Sequence, residues 1–188
     1  MTAEKGLKDL RRALGSGAPV AVYRGIDDVA RLKSYVVGVG RKWALLHTVS
    51  DEITLNGHSA VRLRDVEHAT GSGWLGARFA HRALKLRGEH ARPLAQIDLD
   101  STRNLVETMA TAFPLISVYL ERLDPDACFI GRVNRVTRKG YLRLQEIDSK
   151  AAWDVTCSRT KLADITRVDV GGGYIDALHL VGGPPPGH

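Results

Sequence analysis

The residues best suited to chemistry in this chain are cations placed beside aromatic rings. Arg132, Arg135, Arg138, Lys139 and Arg143 fall within twelve residues, a span that reads as two strands and the turn between them. Arg41 and Lys42 sit at the equivalent turn of the amino-terminal half, and Trp43 and Tyr141 follow the two turns. Guanidinium and ammonium groups neutralise phosphates, and an adjacent aromatic face can stack an unpaired base. The same pattern also describes a solvated strand face whose aromatics point inward.

Other chemistries find less support. The histidines are His47, His58, His68, His81, His90, His179 and His188, and no pair has the spacing of a zinc site with a carboxylate beside it. Gly71-Ser72-Gly73 and Gly171-Gly172-Gly173 lack the P-loop lysine and the dinucleotide fingerprint, so they read as tight turns or bulges. Asp65 and Asp164 recur at matching places, which suits a structural role in each half better than a two-carboxylate acid–base site. No Gly-x-Ser-x-Gly elbow is present. Neither an enzyme, a metal site nor a cofactor is expected.

The chain has 188 residues, 44% hydrophobic and 26% charged, a globular profile. Its net charge of +6 is uneven: residues 31–90 carry +5 and 127–188 carry +3, whereas 91–126 carry −3. Basic halves and an acidic connector permit an acidic partner without demanding one. No apolar run is long enough to span a bilayer, and Met1 to Leu14 is charged throughout, unlike a secretory signal. A cytoplasmic setting is therefore expected, with Cys128 and Cys157 as buried, reduced thiols and with no membrane partner.

The elements come in two similar sets. A helix with Leu7, Leu10 and Leu14 on one face covers roughly 3–14, and a second covers roughly 101–112, with Leu105, Val106 and Met109 inward and Asp100 or Ser101 as N-cap. Each precedes a proline-opened apolar strand, Pro19 to Tyr23 and Pro114 to Tyr119. Tyr35-Val36-Val37-Gly38 then matches Cys128-Phe129-Ile130-Gly131, and Trp43 to Leu46 matches Tyr141 to Leu144. Val61 to Val66 matches Thr160 to Ile165, and Gly71 to Trp74 matches Gly171 to Tyr174. Each set reads as one helix and about five short strands. In the strand near 153–162, Trp153, Val155 and Cys157 alternate with polar residues and are expected to face a core.

A helix followed by five strongly bent strands, with a glycine in the second strand and a late Arg62-Leu63-x-Asp65-Val66 or Lys161-Leu162-x-Asp164-Ile165 segment, resembles the Sm-like small β-barrel. The chain is also similar to a family of small, uncharacterised bacterial proteins with segments like Asp164-Ile165-Thr166-Arg167 and Gly173-Tyr174. The resemblance implies a mainly β fold with short helices (α+β): two tandem Sm-like five-stranded barrels, each preceded by a helix. The Sm uridine-binding signature is missing from both sets, since Arg62 and Lys161 are each followed by leucine where that signature has glycine. The expected units are 1–75 and 101–181. A connector at 76–100 contains a basic helix, Leu75 to Arg87, and a mobile tail covers 182–188.

The leading expectation is a non-catalytic protein-interaction module of immunity or adaptor type, using a surface composed from both barrels. The alternative is binding of RNA or single-stranded DNA through Arg41, Lys42, Arg132, Arg135, Arg138, Lys139 and Arg143.

Overall fold

A computed structural model describes residues 2–186; Met1 of the charged amino-terminal segment, and Gly187 and His188 of the expected tail, lie outside the described residues. The first half contains α1 (Thr2–Ser16), β1 (Pro19–Arg24), β2 (Leu32–Val39), β3 (Trp43–Val49), β4 (Leu55–Arg62) and β5 (Val66–Thr70). Helix α2 (Ala77–Leu86) follows. The second half contains α3 (Thr102–Ala112), β6 (Ile116–Tyr119), β7 (Cys128–Val136), β8 (Tyr141–Ile147), β9 (Trp153–Lys161), β10 (Arg167–Val170) and α4 (Gly173–Gly182).

Local chemistry explains most boundaries. The Ser101 hydroxyl accepts from the Asn104 N–H and caps α3, whose Leu105, Val106 and Met109 are fully buried. The Asp148 carboxylate accepts from the N–H groups of Lys150 and Ala152, closing the β8–β9 turn. Gly140, at a φ of 80°, supplies the left-handed residue of the β7–β8 turn. Helix α4 was not expected, because the glycines that precede it read as a turn. Gly171 and Gly172 do adopt positive φ, and the chain turns helical directly after them.

The two closed barrels implied by the Sm-like resemblance do not form. All ten strands belong to one open antiparallel sheet in the order β5-β1-β2-β3-β4-β10-β6-β7-β8-β9. Each set of five repeats one internal order, with its last strand beside its first, yet neither set joins its own two edges. Instead β4 pairs with β10, with Val61 opposite Arg167 and His58 opposite Val170. An edge strand presents unpaired N–H and C=O groups, and this edge-to-edge join satisfies two such rows at once. The sheet still curls. The three-residue turn Leu63–Asp65 joins β4 to β5, four positions apart in the order and about 19 Å apart if the sheet were flat.

Register also revises how the halves correspond. Trp43 lies opposite Arg62 as Tyr141 lies opposite Lys161. Val36 lies opposite Leu46 as Val133 lies opposite Leu144, and each pair is followed by a bulge. Gly131 therefore takes the place of Ser34, and the place of Gly38 is taken by Arg135. The two glycines answer to different close approaches: a Cβ on Gly131 would collide with the Gln145 carbonyl, and one on Gly38 would press on Leu99.

Four helices cover the sheet. Helix α1 closes the first-half core with Leu10 and Ala13. Helix α3 closes the core of the second half, and the same apolar cluster takes in Trp43, Leu45 and Ala60 of the first. Helix α2 packs Ala77, Ala80 and Leu84 against Ala21, Tyr35 and Val49, and α4 packs Leu178 against Leu115, Ile130 and Ile147. Two expectations fail on the edge strand β9. Val155 is 82% exposed and Cys157 half-buried, because nothing covers the outer part of this strand. Cys128 is exposed too, so the expected pair of buried thiols is absent. Among the described residues no helix is long and apolar enough to cross a membrane.

Candidate nucleic-acid interface

The outward face of β7, β8 and β9 is built by strand alternation. Arg135, Arg143 and Arg159 stand directly opposite one another, one per strand. Facing residues of an antiparallel pair have Cβ atoms about 5 Å apart, so three arginines form a line across the sheet. On one side the next row is Arg132, Gln145 and Cys157; on the other Tyr141 faces Lys161. Arg138 and Lys139 project from the β7–β8 turn, exposed. Among the described residues none of these seven cations has a carboxylate within ion-pair distance. The Arg159 guanidinium lies 3.7 Å from the Tyr141 ring centroid, a cation–π contact. Beside it runs a groove of about 390 Å³ lined by Tyr141, Arg159, Lys161, Leu120, Leu123 and Asp164.

The matching face of the first half is a packing surface. Gly38, Leu45 and Ala60 hold the places of Arg135, Arg143 and Arg159. Leu45 and Ala60 are buried, and Leu99 of the connector rests on Gly38. Trp43 is fully buried, its indole N–H donating to the Thr102 hydroxyl at 3.3 Å, so it offers no stacking face. Arg41 is held by Asp100 at 3.1 Å, whereas Lys42 is exposed. Residues 100–103 bring the two basic turns to one end of the sheet: Asp100 grips Arg41, and Arg103 donates to the Thr137 carbonyl at 2.6 Å.

The structure thus brings Arg132, Arg135, Arg138, Lys139 and Arg143 together and ties Arg41 into an ion pair of its own. Arg159 and Lys161 were missed, although they share the alternation of Trp153, Val155 and Cys157. That alternation was read as a buried face, and the signal pointed to the correct side of the strand with the wrong environment.

A second concavity, of about 580 Å³, crosses the seam between the halves and gathers His58, Asp169, Tyr119 and Arg167. Its polar groups are engaged with one another. Arg167 donates to Asp169 at 2.8 Å and lies 4.1 Å from the centroid of Tyr119. Burial, helped by Asp169, holds the Tyr119 phenol above its usual range. His58 stacks on His47 at 4.1 Å between ring centroids, and the two imidazoles clamp one connector residue. His47 Nδ1 accepts from the Arg92 N–H at 3.1 Å, and His58 Nε2 donates to the Arg92 carbonyl at 2.9 Å. Burial and the neighbouring His58 push the His47 pKa down to about 4, and burial lowers that of His58. No group of three metal-ligating side chains occurs among the described residues. Asp65 is buried and bound by Arg122 at 2.7 Å, whereas Asp164 lines the groove of the second half, so the two carboxylates form no pair.

Comparison with protein-family models, with curated proteins and with solved structures finds no match.

Proposed function

We infer that this chain is a non-catalytic binding protein whose β7–β9 face takes up single-stranded nucleic acid. The observation that supports this reading is the arginine line. Three guanidinium groups face one another without carboxylates, at places where the first half carries glycine, leucine and alanine under a packed cover. Like charges directly opposite one another on a sheet are destabilising, so the row works against stability and suits a polyanion. Arg159 on Tyr141 presents a flat guanidinium on which an unpaired base can stack. The reading draws nothing from the Sm-like resemblance, whose uridine-binding residues are missing.

The protein-partner reading becomes second: among the described residues, Tyr174 is the one large exposed apolar side chain that lines the concavity shared by both halves, and Leu75, Phe79 and Leu86 lie outside it at α2. Fluorescence anisotropy with labelled oligouridylate and oligothymidylate tests the first reading. Binding should weaken with salt, log K falling by about 0.7 per phosphate neutralised for each unit of log salt. The Arg135→Glu/Arg143→Glu/Arg159→Glu variant should lose it. Absence of binding at low salt, or equal binding by the variant, rejects the proposal.

A further inference from the structure

Helix α2 is apolar on two faces. One side, Ala77, Ala80 and Leu84, is buried on the sheet. The other carries Phe79, 68% exposed, and Leu86, 78% exposed, with Leu75, fully exposed, one turn before Phe79. Within the helix Phe79 and Leu86, seven residues apart, fall within about 20° of one another, and Leu75 stands exposed in the turn that leads into it. Arg78, Arg82 and Lys85 border the stripe on one side, all exposed, and residues 71–88 contain no acidic residue; Arg87 on the other side donates to the Ile53 carbonyl at 2.6 Å and lies 3.9 Å from Glu89. A helix already anchored on its inner side has no packing reason to carry a second apolar stripe toward solvent.

We propose that this outer face of α2 docks on anionic phospholipid bilayers. The stripe is a ridge of protruding side chains, not a groove. A bilayer accepts such protrusions without a matched cavity, whereas a protein would need a complementary slot. The flanking cations match acidic headgroups in sign and lie at the level where headgroups would sit once Phe79 and Leu86 enter the acyl boundary. The absence of a spanning helix does not bear on this, because surface binding needs only a short amphipathic segment. The site is separate from the arginine line and independent of the nucleic-acid reading.

Co-sedimentation with vesicles of phosphatidylcholine, with and without phosphatidylserine, tests it. The full chain should bind only the phosphatidylserine vesicles, and high salt should weaken binding. Phe79→Ser/Leu86→Ser should lower binding by at least about ten-fold, since every inserted methylene adds to the affinity. Both residues are exposed, so the thermal midpoint should not move. Phe79→Trp should report insertion as a blue shift of its own emission. Arg135→Glu/Arg143→Glu/Arg159→Glu should bind vesicles as the unaltered chain does. Absence of binding, equal binding to neutral vesicles, or binding unaffected by Phe79→Ser/Leu86→Ser overturns the proposal.

Discussion

Arg24 at the end of β1 and Glu121 just after β6 form an ion pair at 2.5 Å, with side chains only 1% and 3% exposed. Their strands stand five positions apart in the sheet, about 24 Å if it were flat, so this pair marks the closure of the curl. Glu121 also accepts from the Thr166 hydroxyl at 2.8 Å and lies 3.8 Å from Arg167, which joins the halves through one carboxylate.

Removing one partner leaves the other charged and buried. Glu121→Ala should therefore cost about 3–5 kcal/mol. Arg24→Met/Glu121→Leu should cost much less, because no uncompensated charge remains. Urea unfolding of the three proteins checks the order. Equal losses in the single and double variants would show that an uncompensated buried charge is not the source of the single variant's cost.

Arg143 should trade stability for binding. Arg143→Leu installs the residue that the first half uses at this place and relieves two like-charge neighbours, Arg135 and Arg159. The expected gain is about 0.5–1 kcal/mol, accompanied by weaker nucleic-acid binding. Thermal melts and anisotropy on the same preparations measure both. A destabilised variant would mean that the arginine is a structural residue.

The histidine clamp sets an acid-side dependence. The His47 pKa is depressed from the usual 6.5 to about 4 in the folded chain. Between these values the unfolded chain binds more protons, so stability rises with pH across that window. The contribution is complete above about 6.5 and lost as pH falls toward 4, where Nδ1 can no longer accept from the Arg92 amide. Hydrogen exchange should show the Arg92 amide losing protection on that side. In His47→Phe the pH dependence of this amide should vanish, and its persistence would shift the assignment to another group.

Gly131→Ala should be among the most damaging single-methyl additions. Its Cβ would meet backbone of β8, which cannot swing aside as a side chain can. A loss of about 2–3 kcal/mol is expected, with the register of β7 on β8 disturbed. Gly140→Ala has open space around the new methyl but a positive φ, so it should cost about 1 kcal/mol. Denaturation midpoints separate the two mechanisms. A tolerant Gly131→Ala would mean that β7 and β8 are less tightly joined than their contacts indicate.

Much of the local structure was legible from residues alone. The Ser101 cap, the Leu105-Val106-Met109 face, the turn at Gly140 and the strands other than β4 and β5 follow from periodicity and turn chemistry, which act within a few residues; the block Val61 to Val66, read as a strand, is instead the end of β4, the turn Leu63–Asp65 and the start of β5. The five basic candidates of the second half were found the same way. The match of Gly38 with Gly131 misled, because identical residues answered two different steric needs.

Sequence by itself determined that this is a mainly β chain of two similar sets, with a basic strand–turn–strand in the second and a basic helix between them. Tertiary structure alone decided which edges join. A strand edge accepts any partner that offers the complementary row of N–H and C=O groups, so β4 could satisfy β5 or β10 equally in pattern; the contacts that accompany the join with β10 are long-range ones, α3 against Trp43, Leu45 and Ala60, Arg62 on the Leu162 carbonyl and Arg24 on Glu121. It also decided the arginine line. Arg135, Arg143 and Arg159 become neighbours only through two strand registers and two bulges, and those offsets depend on close contacts between strands that no single segment carries.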